Sequence, residues 1–108
     1  MFGDLGKIMK LAREMKEKVP AMKAELAARL FTAEAGGGMV SATVNGRGQL
    51  TGLKISPEVV SGGDVAMLED LVQAAVAAAQ AQADAASAEM MQELAGGMNL
   101  PGLDGLLG

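Results

Sequence analysis

Seven apolar residues, Leu5, Ile8, Ala12, Met15, Val19, Met22 and Leu26, recur at steps of three and four. That spacing is a heptad seam, and it predicts one amphipathic helix over residues 4–30 with Asp4 as its N-cap. At about 1.5 Å per residue the seam-bearing stretch would run roughly 39 Å. A chain of 108 residues has too little other material to cover a helix of that length. Pro20 falls inside it, where it removes a backbone hydrogen bond and should bend the rod. The alternative is two shorter helices meeting at Val19. The seam stays in phase across the proline, which favours a single helix.

The period then changes from helical to alternating. Strands are expected at about 31–35, 39–45 and 48–56, with Gly36-Gly37-Gly38 breaking the first from the second. Val40, Ala42 and Val44 alternate with Ser41 and Thr43, and Asn45-Gly46 is a strong hairpin signal of the type I′ kind. Such a hairpin would align Thr51, Leu53 and Ile55 with Val40 and Val44. Ser56-Pro57 ends the strand and Val59–Gly63 reads as a loop. Asp64 is the expected N-cap of a second long helix, 64–95, with Val65, Leu68, Leu71, Val72, Ala75, Val76 and Ala79 as its buried stripe. Ten alanines between 74 and 88 strengthen that expectation, and Gly96-Gly97 should stop the helix. The fold class is α+β, in the order α-β-β-β-α. One domain covers 1–95, followed by a Gly/Leu tail over 96–108 that reads as flexible or as a segment that orders only against a partner.

Composition enters where the core is weighed. Half of the chain is apolar, but 20 of those residues are alanine and only Phe2 and Phe31 are aromatic. Small domains bury only about 60–68% of their unfolded surface, so alanine-rich helices leave a shallow private core. A subunit that completes its core by oligomerising is the natural inference. With no cysteine and no histidine, there is no disulfide, thiol nucleophile, imidazole base or zinc site of the usual ligands. The longest uncharged stretch, Leu71–Ala83, has 13 residues and is too short to cross a bilayer. Asp4, Lys7 and Lys10 interrupt the N-terminus before a secretory apolar run could form, so a cytoplasmic location is expected.

Charge is divided unevenly. Residues 4–30 hold seven basic side chains against four acidic ones, whereas the rest of the chain holds only Arg47 and Lys54 against nine. Lys7, Lys10 and Arg13 lie opposite the seam, and Lys16, Lys18 and Lys23 flank it. Pairs four apart, such as Lys10–Glu14 and Arg13–Glu17, would equally lace a solvated helix. The overall charge of −4 repels polyphosphate at long range, so composition alone leaves a binding face open. Other candidates are weaker. The Gly triplet runs into a strand, not into the Gly-Lys-Ser/Thr helix start of a phosphate loop. Glu69-Asp70, Asp84, Glu89 and Glu93 do not face one another across a cleft, as acid/base catalysis requires. The nine methionines read as core filling. No enzyme, cofactor or metal site is expected.

Several strings, in order, carry a resemblance: Phe2-Gly3 with Lys7-Ile8-Met9-Lys10, Ala35-Gly36-Gly37-Gly38-Met39-Val40, Val44-Asn45-Gly46-Arg47-Gly48, Ile55-Ser56-Pro57-Glu58 and Leu68-Glu69-Asp70-Leu71-Val72. With the closing Leu-Pro-Gly-Leu segment, the chain resembles the YbaB/EbfC family of bacterial nucleoid-associated proteins over essentially its whole length. The resemblance implies a tweezer-like homodimer. In it, the sheet and second helix form the body, and long helices project as arms around duplex DNA. It implies binding with little sequence preference, altered DNA conformation and a place in the nucleoid. It also implies DNA-binding cations at Lys7, Lys10, Arg13, Lys16 and Lys23, with Arg29, Arg47 and Lys54 beside them. Lacking Tyr and Trp for stacking on single strands, the chain is expected to prefer duplex. No membrane and no small-molecule substrate is expected. A dimeric adaptor whose arms grip replication or recombination proteins is the alternative, supported by net acidity and the Gly/Leu segment.

Overall fold

The computed structural model describes residues 2–97, so most of the expected tail lies outside the described residues. Its elements are α1 (Phe2–Ala28), β1 (Leu30–Ala35), β2 (Val40–Asn45), β3 (Leu50–Ile55), a short α2 (Pro57–Ser61) and α3 (Val65–Gly97). The α-β-β-β-α order is as expected, with one addition. Part of the expected loop is a helical turn, because Pro57 presets the first helical residue and Val59 is buried beneath it. The Ser61 hydroxyl closes that turn by donating to the Pro57 carbonyl at 2.9 Å.

The helix ends differ from expectation in ways that local chemistry explains. The first helix begins at Phe2, so Asp4 lies within its first turn, where its charge complements the positive end of the dipole. It runs through Pro20 as one helix and closes at Ala28, where the Arg29 amide turns back to the Leu26 carbonyl at 3.0 Å. Asp64 does cap α3, its Oδ1 accepting from the Met67 amide at 3.0 Å. Gly96-Gly97 do not stop that helix, which extends through both. Glycine in a helix costs about 1 kcal/mol relative to alanine, a weakening and not a break.

Strands β1, β2 and β3 form an antiparallel meander in that order. The Gly triplet turns the chain with φ of 66°, 68° and 92°, values that side-chain-bearing residues rarely adopt. Phe31 pairs with Val44, Ala33 with Ala42 and Ala35 with Val40, all on one face. On the other side of β2, Ile55 pairs with Val40 and Leu53 with Ala42. A register shift between Thr43 and Val44 then places Leu50, in place of the expected Thr51, opposite Val44.

Helix α3 lays Ala75, Ala79, Ala83 and Ala86 against this sheet, all of them buried. Methyl-sized side chains let the helix axis come close to the strands, and Val40 and Val44 are the largest side chains fully enclosed between them. Burial of one valine contributes about 1.5–3 kcal/mol. The helix covers β1 and β2 but not β3. Leu50, Leu53 and Ile55 on that edge strand therefore remain exposed, as do Val60 and Val65 at the turn into α3.

The first helix packs on this body only through its last turns. Leu26 is buried with Phe31, Val44, Ala83 and Ala86, and Met90 closes over them. Further out, Leu11, Met15, Val19 and Met22 are half-buried along the line towards Leu94, while Leu5 and Ile8 are exposed. The two helices thus run antiparallel, with the second half of α1 alongside the C-terminal part of α3. The molecule measures 72 × 27 × 16 Å, with a radius of gyration of 20.7 Å. A compact chain of this size would have about 13 Å.

Candidate nucleic-acid interface

Each expected cation has a definite place. Lys7, Lys10, Arg13, Lys16 and Lys23 are all exposed on α1. By the helical period, Lys10 and Arg13 point away from the Leu11–Met15–Val19–Met22–Leu26 line, while Lys16 and Lys23 share one flank of it. Lys7 lies on the other flank, beyond the level of Leu11.

The hairpin between β2 and β3 supplies Arg47, and its construction departs from the expected type I′ turn. Neither Asn45 nor Gly46 has a positive φ; the left-handed residue is Gly48, at 79°. The Gly48 amide donates to the Asn45 carbonyl at 3.0 Å, and the Asn45 amide donates to the Gln49 carbonyl at 2.9 Å. This is a three-residue hairpin with a left-handed residue before the returning strand. The Asn45 side chain organises it, with Oδ1 accepting from the amides of Arg47 at 2.9 Å and Gln49 at 3.0 Å. From α3, Gln80 donates to the Gly48 carbonyl at 3.1 Å and holds the tip in place.

Gly46 has a separate role. Its amide donates to the Ala27 carbonyl at 3.4 Å, and a Cβ added there would collide with the Leu26 carbonyl group. Absence of a side chain therefore lets the hairpin tip rest on the end of α1. As a result Arg47 and Lys23, 24 residues apart in sequence, line one hollow with Pro20, Ala24, Ser87 and Met91.

The remaining two expected cations are placed otherwise. Arg29 stands over the Phe31 ring, 5.1 Å from its centroid, and lines a hollow with Glu25, Glu89 and Glu93. Three carboxylates around one guanidinium leave that hollow acidic. Lys54 lies on the sheet face away from α3, in one cross-strand row with Ser41 and Glu34. It sits four residues beyond Leu50, at the far end of β3 from the hairpin tip. The structure thus brings Lys23 and Arg47 together, arrays the other α1 cations along the arm, and sets Arg29 and Lys54 apart from both.

An extended basic helix on a small αβ body matches known proteins throughout. The model of the YbaB/EbfC DNA-binding family covers residues 1–98. The chain belongs to that family. It is 41% identical over 101 residues to a nucleoid-associated protein of Clostridium acetobutylicum, spanning 94% of this chain and 90% of that one. A nucleoid-associated protein of Thermoanaerobacter pseudethanolicus is 43% identical over 100 residues, covering 93% and 90%. One from Rhodococcus opacus is 41% identical over 105 residues, covering 97% and 93%. Among solved structures, the uncharacterized protein HP0035 from Helicobacter pylori superposes with a TM-score of 0.60 at 25% identity, covering 82% of this chain and 98% of that one. As a YbaB/EbfC-family protein, this chain is a nucleoid-associated, DNA-binding protein of the bacterial kind. No helix among its described residues is long and apolar enough to cross a membrane.

Sequence reasoning does not reach Gly46 and Gln80 as supports of the site. Asn-Gly has one obvious local meaning, and the close approach of α1 carries no sequence mark. Gln80 is one polar residue in an alanine-rich run, and its partner is a backbone carbonyl 32 residues away.

Proposed function

We propose that this protein acts as a homodimer that grips duplex DNA through phosphate contacts, with little sequence preference, and alters the conformation of the DNA it holds. The observation that carries the reading is α1 itself: a helix of 27 residues, anchored at one end, that presents Lys7, Lys10, Arg13, Lys16 and Lys23 to solvent. Phosphate contacts need exposed cations on a positioned scaffold, and they release condensed counterions without reading bases. Arg47 and Lys54 are secondary contributors, and Arg29, expected to join them, lies in a hollow with Glu25, Glu89 and Glu93 and adds little. The uncovered apolar edge of β3 supports dimerisation, because Leu50, Leu53 and Ile55 lie on the core-facing side of the sheet without a helix over them. Burying them against a second copy would complete the core and set two arms on one body. Localisation to the nucleoid, in the cytoplasm, follows from the same reading, and no cofactor or small-molecule substrate enters it.

The test is binding to a labelled random-sequence duplex, followed by anisotropy from about 50 to 200 mM salt. The logarithm of affinity should fall linearly with the logarithm of salt, with a slope near −0.9 per phosphate contact. Replacing Lys7, Lys10 and Arg13 together by alanine should flatten that slope and weaken binding for all sequences alike. No binding at about 50 mM salt, where phosphate contacts are strongest, would sink the reading and leave the α1 cations as a solvated face.

A further inference from the structure

Granting the reading of this chain as a DNA-gripping protein, we propose that duplex docks on one flank only of the α1–α3 pair. That flank is the one where the hairpin tip sets Arg47 beside Lys23; the opposite, carboxylate-bearing flank faces away from the DNA.

Two hollows run along the seam between the helices, and both are lined by Leu26. Met90 also lines both, so the Leu26–Met90 contact is the ridge that divides them. One hollow carries Lys23 and Arg47 and no carboxylate among its lining residues. The other carries Glu25, Glu89 and Glu93 around Arg29. Next along that second flank, Glu14 and Lys18 of α1 line a further hollow with Glu93 of α3. The hollows of the second flank are therefore lined by four carboxylates against two cations, while the hollow of the first is lined by two cations and no carboxylate. Asp84, the nearest acid by helical register on the first flank, lies one turn before Ser87 and outside the hollow.

Shape supports the same side. Ala24, Ala27, Gly46 and Ser87 form the small-residue part of the basic hollow's border, with Pro20 and Met91 completing it, so much of the rim beside its cations is low enough for a sugar–phosphate backbone to approach. Lys16 lies one heptad before Lys23 on the same helix flank, about 10 Å along the axis. With Arg47 it extends a line of cations from the arm onto the body. The tip that carries Arg47 is held by Asn45 from within and by Gln80 from α3, so the backbone from which the cation projects is fixed before DNA arrives. With a Debye length of about 8 Å at physiological salt, a phosphate feels chiefly the charges within that distance, attraction from cations and repulsion from carboxylates. Backbone laid on the second flank would meet that repulsion at Glu89 and Glu93.

Two double variants test the sidedness in the full chain: Lys23→Gln with Arg47→Gln, and Glu89→Gln with Glu93→Gln. All four residues are exposed, and circular dichroism verifies the fold of each variant. The first pair should weaken binding to the random-sequence duplex about tenfold or more, and should flatten the salt slope by about 0.9 for each phosphate no longer neutralised. The second pair should leave affinity unchanged or raise it. If the wild-type protein binds and the first pair has the same slope as wild type, the docking flank is not this one, although the DNA reading stands. A loss of affinity in the second pair would overturn the proposal equally. Failure of the wild-type protein to bind at about 50 mM salt removes the DNA reading and the flank with it.

Discussion

Gly46 and Gly6 show how one residue type carries opposite consequences. Gly46 is legible in the sequence as a turn residue, yet its φ is ordinary and its constraint is steric: a methyl group there meets the Leu26 carbonyl and the Ala27 Cα, 3.1 Å away. Gly46→Ala should therefore destabilise the protein by about 1–3 kcal/mol, as overpacking does, and lower the midpoint of thermal unfolding. Gly6 lies within α1 with nothing within 4 Å of an added Cβ. Gly6→Ala should stabilise by up to about 1 kcal/mol, because alanine is the better helix former. Thermal unfolding of the two variants should move in opposite directions. The sequence alone gives no basis for that difference in sign, since both positions are simply glycine until the chain folds.

At the scale of the element, α1 is almost completely legible from spacing. Met15, Val19, Met22 and Leu26 are the inward positions, as the seam predicts, with Leu11 taking the place of Ala12. The exchange reflects a seam slightly rotated towards the larger side chain, which gains more from cover. Spacing does not convey how unequal the seam is along its length. Leu26 is 8% exposed, whereas Leu5 and Ile8 are 57% and 55% exposed. Leu26 is the point where α1, the sheet and α3 meet, so Leu26→Ala should cost about 2–5 kcal/mol. The same truncation should loosen the arm from the body, seen as faster amide exchange across the last turns of α1. Leu5→Ala should change stability little by comparison. Pro20 does not divide the element, because it sits on the exposed side, where the carbonyl left without a partner can turn to water.

For the whole molecule, the β3 edge decides the most. An edge strand with its apolar side chains uncovered is normally blunted or paired, and here Leu53 and Ile55 are 41% and 37% exposed. If a second copy covers them, Leu53→Glu should bury a charge at that interface and shift the protein from dimer to monomer in sedimentation equilibrium. Its DNA binding should weaken in parallel, since a monomer offers one arm. A dimer that persists unchanged in Leu53→Glu would place the interface elsewhere on the surface. The shallow alanine core that composition implies is the cause of this arrangement. Small side chains on α3 seal two strands well and leave nothing to reach over the third.

Taken by itself, the sequence determined the order of elements, the long arm, the glycine turn between β1 and β2, the cap at Asp64 and the family, because each rests on spacing or on residues adjacent in the chain. The tertiary structure alone decided the form of the hairpin and the bulge that brings Leu50 into register. It also decided that Arg47 and Lys23 line one hollow and that Arg29 shares another with Glu25, Glu89 and Glu93. Those depend on residues far apart in sequence, and on a helix resting against a turn at a distance only a missing side chain permits. Local periodicity reports which face of an element is apolar; it does not report what that face, or the charge beside it, will meet.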